Sequence, residues 1–295
     1  MTGKIVLHLG AHKTATTAIQ EYCTLEANTL RADGIVYVGH TTKPFSTYRT
    51  LRDLTAEARG EGRFDSREAR CKLVIENTRK IFSRGDIRSL LIPWEIFLGE
   101  PYDETKGILY PGARASLSAL AEFLNDLPTL IVFTIRDQWD FLNSWYLQLH
   151  KLGHVPDPDH FRNWAATADL SWRPIVDTMR QHFGAANVMV LQYGSTAETH
   201  KEFFRALFSA YGYTGRIDPL SIPRRNESWP KEALEIARHV MPLLPNDRER
   251  YLLRLKLDDV FSGLAGRPVK VLDDEMRLKF SEKYANENAL LTARP

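Results

Sequence analysis

Between Gly10 and Thr17 the chain gathers groups suited to holding an anion. Gly10, Ala11, His12, Lys13, Thr14, Ala15, Thr16 and Thr17 follow directly on the apolar run Ile5 to Leu9. A buried strand, a tight turn and the start of a helix are expected there in that order. The first N–H groups of a helix have no partner inside it and carry partial positive charge, which suits phosphate or sulfate. Lys13 adds a full charge at the mouth, and Thr14, Thr16 and Thr17 add hydroxyl donors. A Walker-type nucleotide loop needs Gly-x4-Gly-Lys-Ser/Thr. Here Lys13 follows Gly10 after only two residues, so that pattern fails. The plainer alternative is that the threonines cap the helix.

Two further places carry chemistry. Thr129 to Arg136 reads as a buried strand ending on an arginine, and Ser144 follows eight residues later. A buried strand seldom ends on an uncompensated charge, so Arg136 calls for an anion. The helix after it turns Ser144 about 80° away from Arg136, a gap a long side chain closes. An Arg136–Asp140 pair with Ser144 exposed is the alternative. Ser89 to Pro93 reads as another buried strand, and Glu95 stands just past it. Glu95 is either a proton acceptor beside Lys13 or a solvated acid at a helix start. His8, inside the first strand, reads as a packed histidine. His12 either touches the anion or only flanks it.

The order Lys13, Thr14, Ala15, Thr16, Thr17 resembles the 5′-phosphosulfate loop of sulfotransferases that use 3′-phosphoadenosine 5′-phosphosulfate (PAPS), where glycine is common in the place of Ala15. Arg136 with Ser144 resembles the 3′-phosphate site of the same family. Phe183 and Gly184, Gln192 and Tyr193, and Phe203 to Leu207 resemble the family's middle region, and Asn226 to Ser228 resembles an element common in its bacterial branch. The resemblance implies a P-loop-like parallel sheet with a helical C-terminal part, and transfer of a sulfuryl group to a hydroxyl or amine. It implies PAPS as co-substrate, 3′-phosphoadenosine 5′-phosphate (PAP) as product, and an acceptor that is a glycan, a lipid-linked sugar or a small molecule. It puts Lys13, Glu95 and His12 at the reaction centre. Gly10 through Thr17, Arg136 and Ser144 would hold the donor. A P-loop kinase or NTPase and a non-catalytic nucleotide-binding module are the competing readings.

The elements that must position these groups are legible from periodicity and breakers. Strands are expected at Ile5–Leu9, Ile35–Val38, Ser89–Pro93, Leu130–Ile135 and Val188–Leu191. Helices are expected at Thr14–Ala32, ending at Gly34, and at Cys71–Phe82, Pro111–Leu124, Asp137–Lys151, Ser171–Phe183 and Ala197–Tyr211. Thr41 to Arg70 reads as a polar surface segment or cover, and the chain from Asn226 as mainly helical. Strands alternating with helices make a parallel sheet covered on both faces, with ligands at the carboxyl ends of the strands. One domain over residues 1–295 is expected.

Bulk composition narrows the class. There are 39 basic and 37 acidic residues, a net charge of +2, which disfavours a general nucleic-acid binder. Cys23 and Cys71 have no paired spacing, so neither a disulfide framework nor a zinc site is expected, and no other metal-ligand cluster is visible. The apolar runs are too short to span a bilayer and the N-terminus does not read as a signal peptide, so a cytoplasmic protein is expected.

Overall fold

The structure, a computed structural model, describes residues 3–39, 45–194, 196–215, 217, 222, 229–261 and 269–293. Five strands form one sheet: β1 (Lys4–Gly10), β2 (Ile35–Tyr37), β3 (Ser89–Pro93), β4 (Thr129–Arg136) and β5 (Val188–Tyr193). Their order is β2-β3-β1-β4-β5 and every pairing is parallel. Central β1 sets Lys4 to His8 against Ser89 to Pro93, and Ile5 to Gly10 against Thr129 to Thr134. After β1 the chain crosses to β2 and β3 on one side, then passes over β1 to β4 and β5 on the other. The strand ends of β1 and β4 therefore border the switch point where such sheets bind ligands.

Alternation along β1 splits the core. Ile5, Leu7 and Leu9 face α5 (Ala113–Leu124), α6 (Gln138–Lys151), α8 (Arg173–Phe183) and α12 (Asp274–Thr292), packing with Leu117, Phe141, Met179 and Tyr284. Val6 faces α1 (Thr16–Leu25) and α9 (Ala197–Tyr211), packing with Ile19, Cys23, Leu207 and Tyr211. The parallel sheet is buried on both faces, which is why its strands read as nearly continuous apolar runs. His8 shares the second face, fully buried between Thr134 Oγ1 (2.9 Å) and Tyr211 Oη (2.8 Å). Burial alone pushes its pKa down to about 3, so it is a neutral packed histidine.

The expected helices shift in instructive places. The first begins at Thr16, leaving Thr14 in the turn, and it breaks at Glu26 before α2 (Ala27–Ala32). Thr41 to Arg70 is more than surface: α3 (Phe45–Ala58) buries Tyr48, Leu51 and Leu54, and α4 (Arg67–Phe82) begins four residues before Cys71. Helix α7 (Pro158–Thr167), unread in the sequence, starts at Pro158 behind an Asp157 cap. The fifth helix starts at Ala113, with Pro111 in the preceding turn. Ser171 accepts from Arg173 N–H (3.1 Å), but α8 itself opens at Arg173. Helices α10 (Lys231–Val240), α11 (Asp247–Val260) and α12 make the C-terminal part helical. Asn226 to Ser228 lies outside the described residues.

Helix α6 is held at several points. Gln138 exchanges hydrogen bonds with Asn288 of α12 (3.3 and 2.9 Å). Asn143 Oδ1 accepts from the N–H groups of Val271 (2.8 Å) and Leu272 (3.0 Å). Trp172, fully buried, packs on Phe133 and Phe141 and donates to the Arg136 carbonyl (2.9 Å). That contact fastens the end of β4 to the start of α8. Trp172→Ala should cost about 3–5 kcal/mol of stability, and Trp172→Phe clearly less. Urea unfolding with an unchanged slope checks this, and equal midpoints for wild type and Trp172→Ala would refute it.

Candidate functional site

The loop after β1 is held from three sides. Ala11 N–H donates to the Thr134 carbonyl of β4 (2.8 Å). His12 N–H donates to Tyr110 Oη (2.7 Å), and the Lys13 carbonyl accepts from the Arg136 guanidinium (3.0 Å). Thr14 Oγ1 turns inward to the Ala11 carbonyl (2.6 Å), so its proton is committed within the loop. Two non-glycine residues adopt left-handed backbone here, Lys13 (φ 68°) and Ala15 (φ 63°). Ala15 stands just before α1, and its φ gives a physical reason for a glycine to suit this position. At Gly10 the constraint is space: an added Cβ would meet Thr14 Oγ1 at 2.8 Å and Thr16 Oγ1 at 3.0 Å.

Glu95 and Arg136, far from Lys13 in sequence, both act on it across this loop. The Lys13 ammonium donates to Gln148 Oε1 of α6 (3.3 Å). Burial pushes its pKa down to about 8, helped by the nearby charges of Lys151, Arg136 and Arg254, while Glu95 opposes the shift. Glu95 opens the 3₁₀ turn Glu95–Leu98 directly after β3. Burial raises its pKa; its own backbone N–H, the Thr16 hydroxyl and Lys13 hold it back. Thr16 Oγ1 and Glu95 Oε2 are both sealed from solvent, and neither reaches ordinary hydrogen-bond geometry with any partner. A carboxylate oxygen sealed and unpaired beside a lysine is costly, so the arrangement is one to explain by function.

Arg136 ends β4 half-buried, its guanidinium 5.7 Å from the Tyr193 ring. Burial lowers its pKa, with Asp140, Tyr193 and Asp137 opposing. Its Nε is sealed and unpaired, and among the described residues it makes no ion pair within 4 Å. No Arg136–Asp140 ion pair forms within 4 Å, although the Asp140 charge still acts on Arg136; the Asp140 backbone N–H donates to Asp137, which caps α6 (3.0 Å). Ser144 sits half-buried on α6, with no hydrogen bond to Arg136. Thr17 is exposed on the first turn of α1.

Several site residues escaped the sequence reading. Gln148 and Lys151 follow Ser144 at spacings of four and three, the spacing of one helix face, so that signal was available. Lys151 is nearly buried, pairs with Asp258 (2.9 Å) and lies 4.9 Å from the Trp229 ring. Arg254 reaches the same carboxylate (3.5 Å), as does the Trp229 N–H (2.8 Å). Tyr110 carries no sequence signal at all. A separate cleft of about 480 Å³ is lined by Asp137, Asp140, Tyr193, Thr199 and Glu202 among others. Its carboxylates make it unsuited to phosphate.

No protein-family model matches the sequence, and no curated protein matches it. Among solved structures, a sulfotransferase from Alicyclobacillus acidocaldarius is similar over 85% of this chain and 95% of that one, at a TM-score of 0.40 and 15% identity. That is a likeness of general outline, and the functional reading rests on the site. Among the described residues no helix is long and apolar enough to cross a membrane, and no three His, Cys, Asp or Glu gather as a metal site.

The depressed Lys13 pKa has a thermodynamic signature. The folded state releases this proton near pH 8, the unfolded chain only near 10.5. Stability should therefore rise with pH between those values, because the unfolded state binds more protons there. Lys13→Met should be more stable than wild type below pH 8, by about 1–3 kcal/mol, with the gap closing toward pH 10. Urea melts of both proteins from pH 6 to 10 test it. A gap that does not change with pH would overturn the assignment.

Proposed function

We propose that the protein is a PAPS-dependent sulfotransferase that moves a sulfuryl group to a hydroxyl or amine of a glycan, lipid-linked or small-molecule acceptor. One observation carries the reading: the Arg136 guanidinium, with its Nε sealed and unpaired, donates to the Lys13 carbonyl and so joins the strand-end arginine to the anion loop. A donor with a phosphate at each end of its ribose needs two cationic sites side by side. Arg136 supplies the planar fork that pairs with phosphate oxygens, and Ser144 a hydroxyl on the helix that follows. Lys13, Thr16 and the N–H groups opening α1 fit a 5′-phosphosulfate. Residues 1–295 are read as one catalytic domain working in the cytoplasm.

The proposed step is in-line. The acceptor oxygen or nitrogen forms a bond to sulfur as the bond from sulfur to the bridging phosphate oxygen breaks. Glu95 takes the acceptor proton, and its raised pKa brings it nearer to neutrality, where a general base is most effective. Lys13 balances charge that grows on the sulfuryl group and the departing phosphate. Fixing the 3′-phosphate at Arg136 orients the reacting end and lowers the entropic cost of alignment.

Ligand choice tests the nucleotide assignment. PAP should raise the melting temperature more than AMP or ATP, since a ligand that binds only the native state stabilises it by mass action. Arg136→Ala should weaken PAP by at least about 1.5 kcal/mol. Equal shifts with PAP and AMP would remove the 3′-phosphate site, and a larger shift with ATP would favour a kinase or NTPase.

Glu95→Gln separates catalysis from stability. Transfer of labelled sulfate from PAPS to a mixed acceptor panel should drop by roughly 10² to 10⁴, with PAP affinity near wild type. The folded carboxyl has a raised pKa, so burying its charged form costs stability above the unfolded value near 4.5. The Gln variant should therefore melt higher than wild type at pH 8, and the difference should vanish toward pH 4. A helix-start acid predicts the reverse, a lower melting temperature with normal turnover.

A further inference from the structure

Tyr110 stands out among buried side chains that the proposed reaction does not use. It is almost fully buried, at 2% exposure, and its backbone is left-handed (φ 48°), an outlier for an aromatic residue. Tyr110 N–H donates to the Pro101 carbonyl (3.2 Å), and Ala113 N–H to the Tyr110 carbonyl (2.9 Å), so both sides of the outlier are fastened. The ring packs near Phe141 and Trp172. This geometry delivers one polar atom, Oη, to the anion loop. Oη is 2.7 Å from the His12 backbone nitrogen and 2.8 Å from His12 Nδ1.

Counting protons at that atom decides the histidine. The backbone N–H of His12 has only the donor role, so Oη accepts from it. Oη has one proton of its own to place. Burial raises the phenol pKa well above its ordinary value, so that proton stays on. The partner in reach is Nδ1. If Nδ1 also carried a proton, two donors would converge on Oη and the phenol proton would be left without an acceptor, which is costly in a buried place. The arrangement that satisfies all three groups has Nδ1 accepting and Nε2 protonated. Trp145 packs edge-on against the imidazole (4.8 Å) and keeps the ring from turning over. His12 Nε2 has no hydrogen-bond partner among the described residues.

We propose that Tyr110 is a positioning residue that locks His12 in the Nε2–H form, so that His12 serves the loop as a neutral donor to a bound tetrahedral oxyanion and not as a base. The donor half rests on reading the Lys13 loop as an anion site; the lock does not. Burial and the charge of Lys13 push the His12 pKa down to about 3, so the ring stays neutral and keeps one proton for donation. A neutral donor suits a place where Lys13, Arg136, Lys151 and Arg254 already crowd positive charge.

Imidazole nitrogen NMR on the full chain tests the lock without any ligand. Wild-type His12 should show an unprotonated Nδ1 and a protonated Nε2, unchanged from pH 5 to 9. In Tyr110→Phe, which keeps the ring and loses only the hydroxyl, the signal should move toward a tautomer mixture. A protonated Nδ1 in wild type, or no change in Tyr110→Phe, overturns the lock. Donation is tested by PAP calorimetry on two variants. His12→Gln carries its amide nitrogen where Nε2 was, and His12→Asn where Nδ1 was. Gln should bind PAP within about threefold of wild type and Asn about tenfold more weakly. Equal loss in both overturns donation through Nε2. A locked tautomer in a wild-type protein that binds neither PAP nor inorganic sulfate sinks the anion-loop reading while upholding the lock.

Discussion

The site depends on one constraint: a strand buried on both faces must hand its chain to a helix without stranding the backbone groups between them. Lys13 and Ala15 meet it with left-handed backbone, a conformation costing non-glycine residues of order 1 kcal/mol or more each. The cost is tolerated because neighbours over-determine the path. Thr134 holds Ala11, Tyr110 holds His12 and Arg136 holds Lys13. Two of these contacts come from β4 and one from the turn at Tyr110, so the loop takes its shape only when β1 lies beside β4 and the Tyr110 turn is seated. The same bonds bring the chain to the start of α1 at Thr16.

Electrostatics follow from that path. Lys13, Arg136, Lys151 and Arg254 repel one another near the loop, and Glu95 and Asp258 only partly compensate them. In a low-dielectric cleft such an excess strengthens attraction for an anion and weakens the unliganded fold. The sealed, unpaired atoms of Thr16, Glu95 and Arg136 belong to the same tension. Native proteins keep few such atoms, and each weighs against the stability of the fold.

Helix α6 acts as the ruler of the site. It starts beside Arg136, passes Ser144 and Gln148, and ends at Lys151, about 20 Å along its axis. Asn143 and Gln138 tie it to the C-terminal segment, and Lys151 ties its end to α11. The C-terminal helices therefore do more than cover the sheet. They fix where α6 lies, and with it the spacing of Ser144, Gln148 and Lys151 from Arg136.

The strands, the turn after β1 and the strand-end arginine were legible in the sequence because short range sets them. Apolar runs of four to six residues bounded by turn residues or charge have few other meanings in an alternating pattern. Glu95 was legible by position, just past a buried strand. Tertiary structure decided what these groups can do. Thr14 reads as a donor to an anion, yet its hydroxyl bonds back to Ala11 within the turn. An Arg136–Asp140 pair is the alternative in the sequence, yet no such ion pair forms within 4 Å, and the guanidinium spans 123 residues to reach Lys13. The Phe45–Ala58 helix was hidden because its apolar positions are diluted by polar ones, and burial against α5 selected it. Tyr110 lies 98 residues from His12, and no local pattern announces a contact at that range. Spacing along a chain reports on neighbours within a turn or a strand. Which proton sits on which nitrogen depends on atoms brought together only by the finished fold.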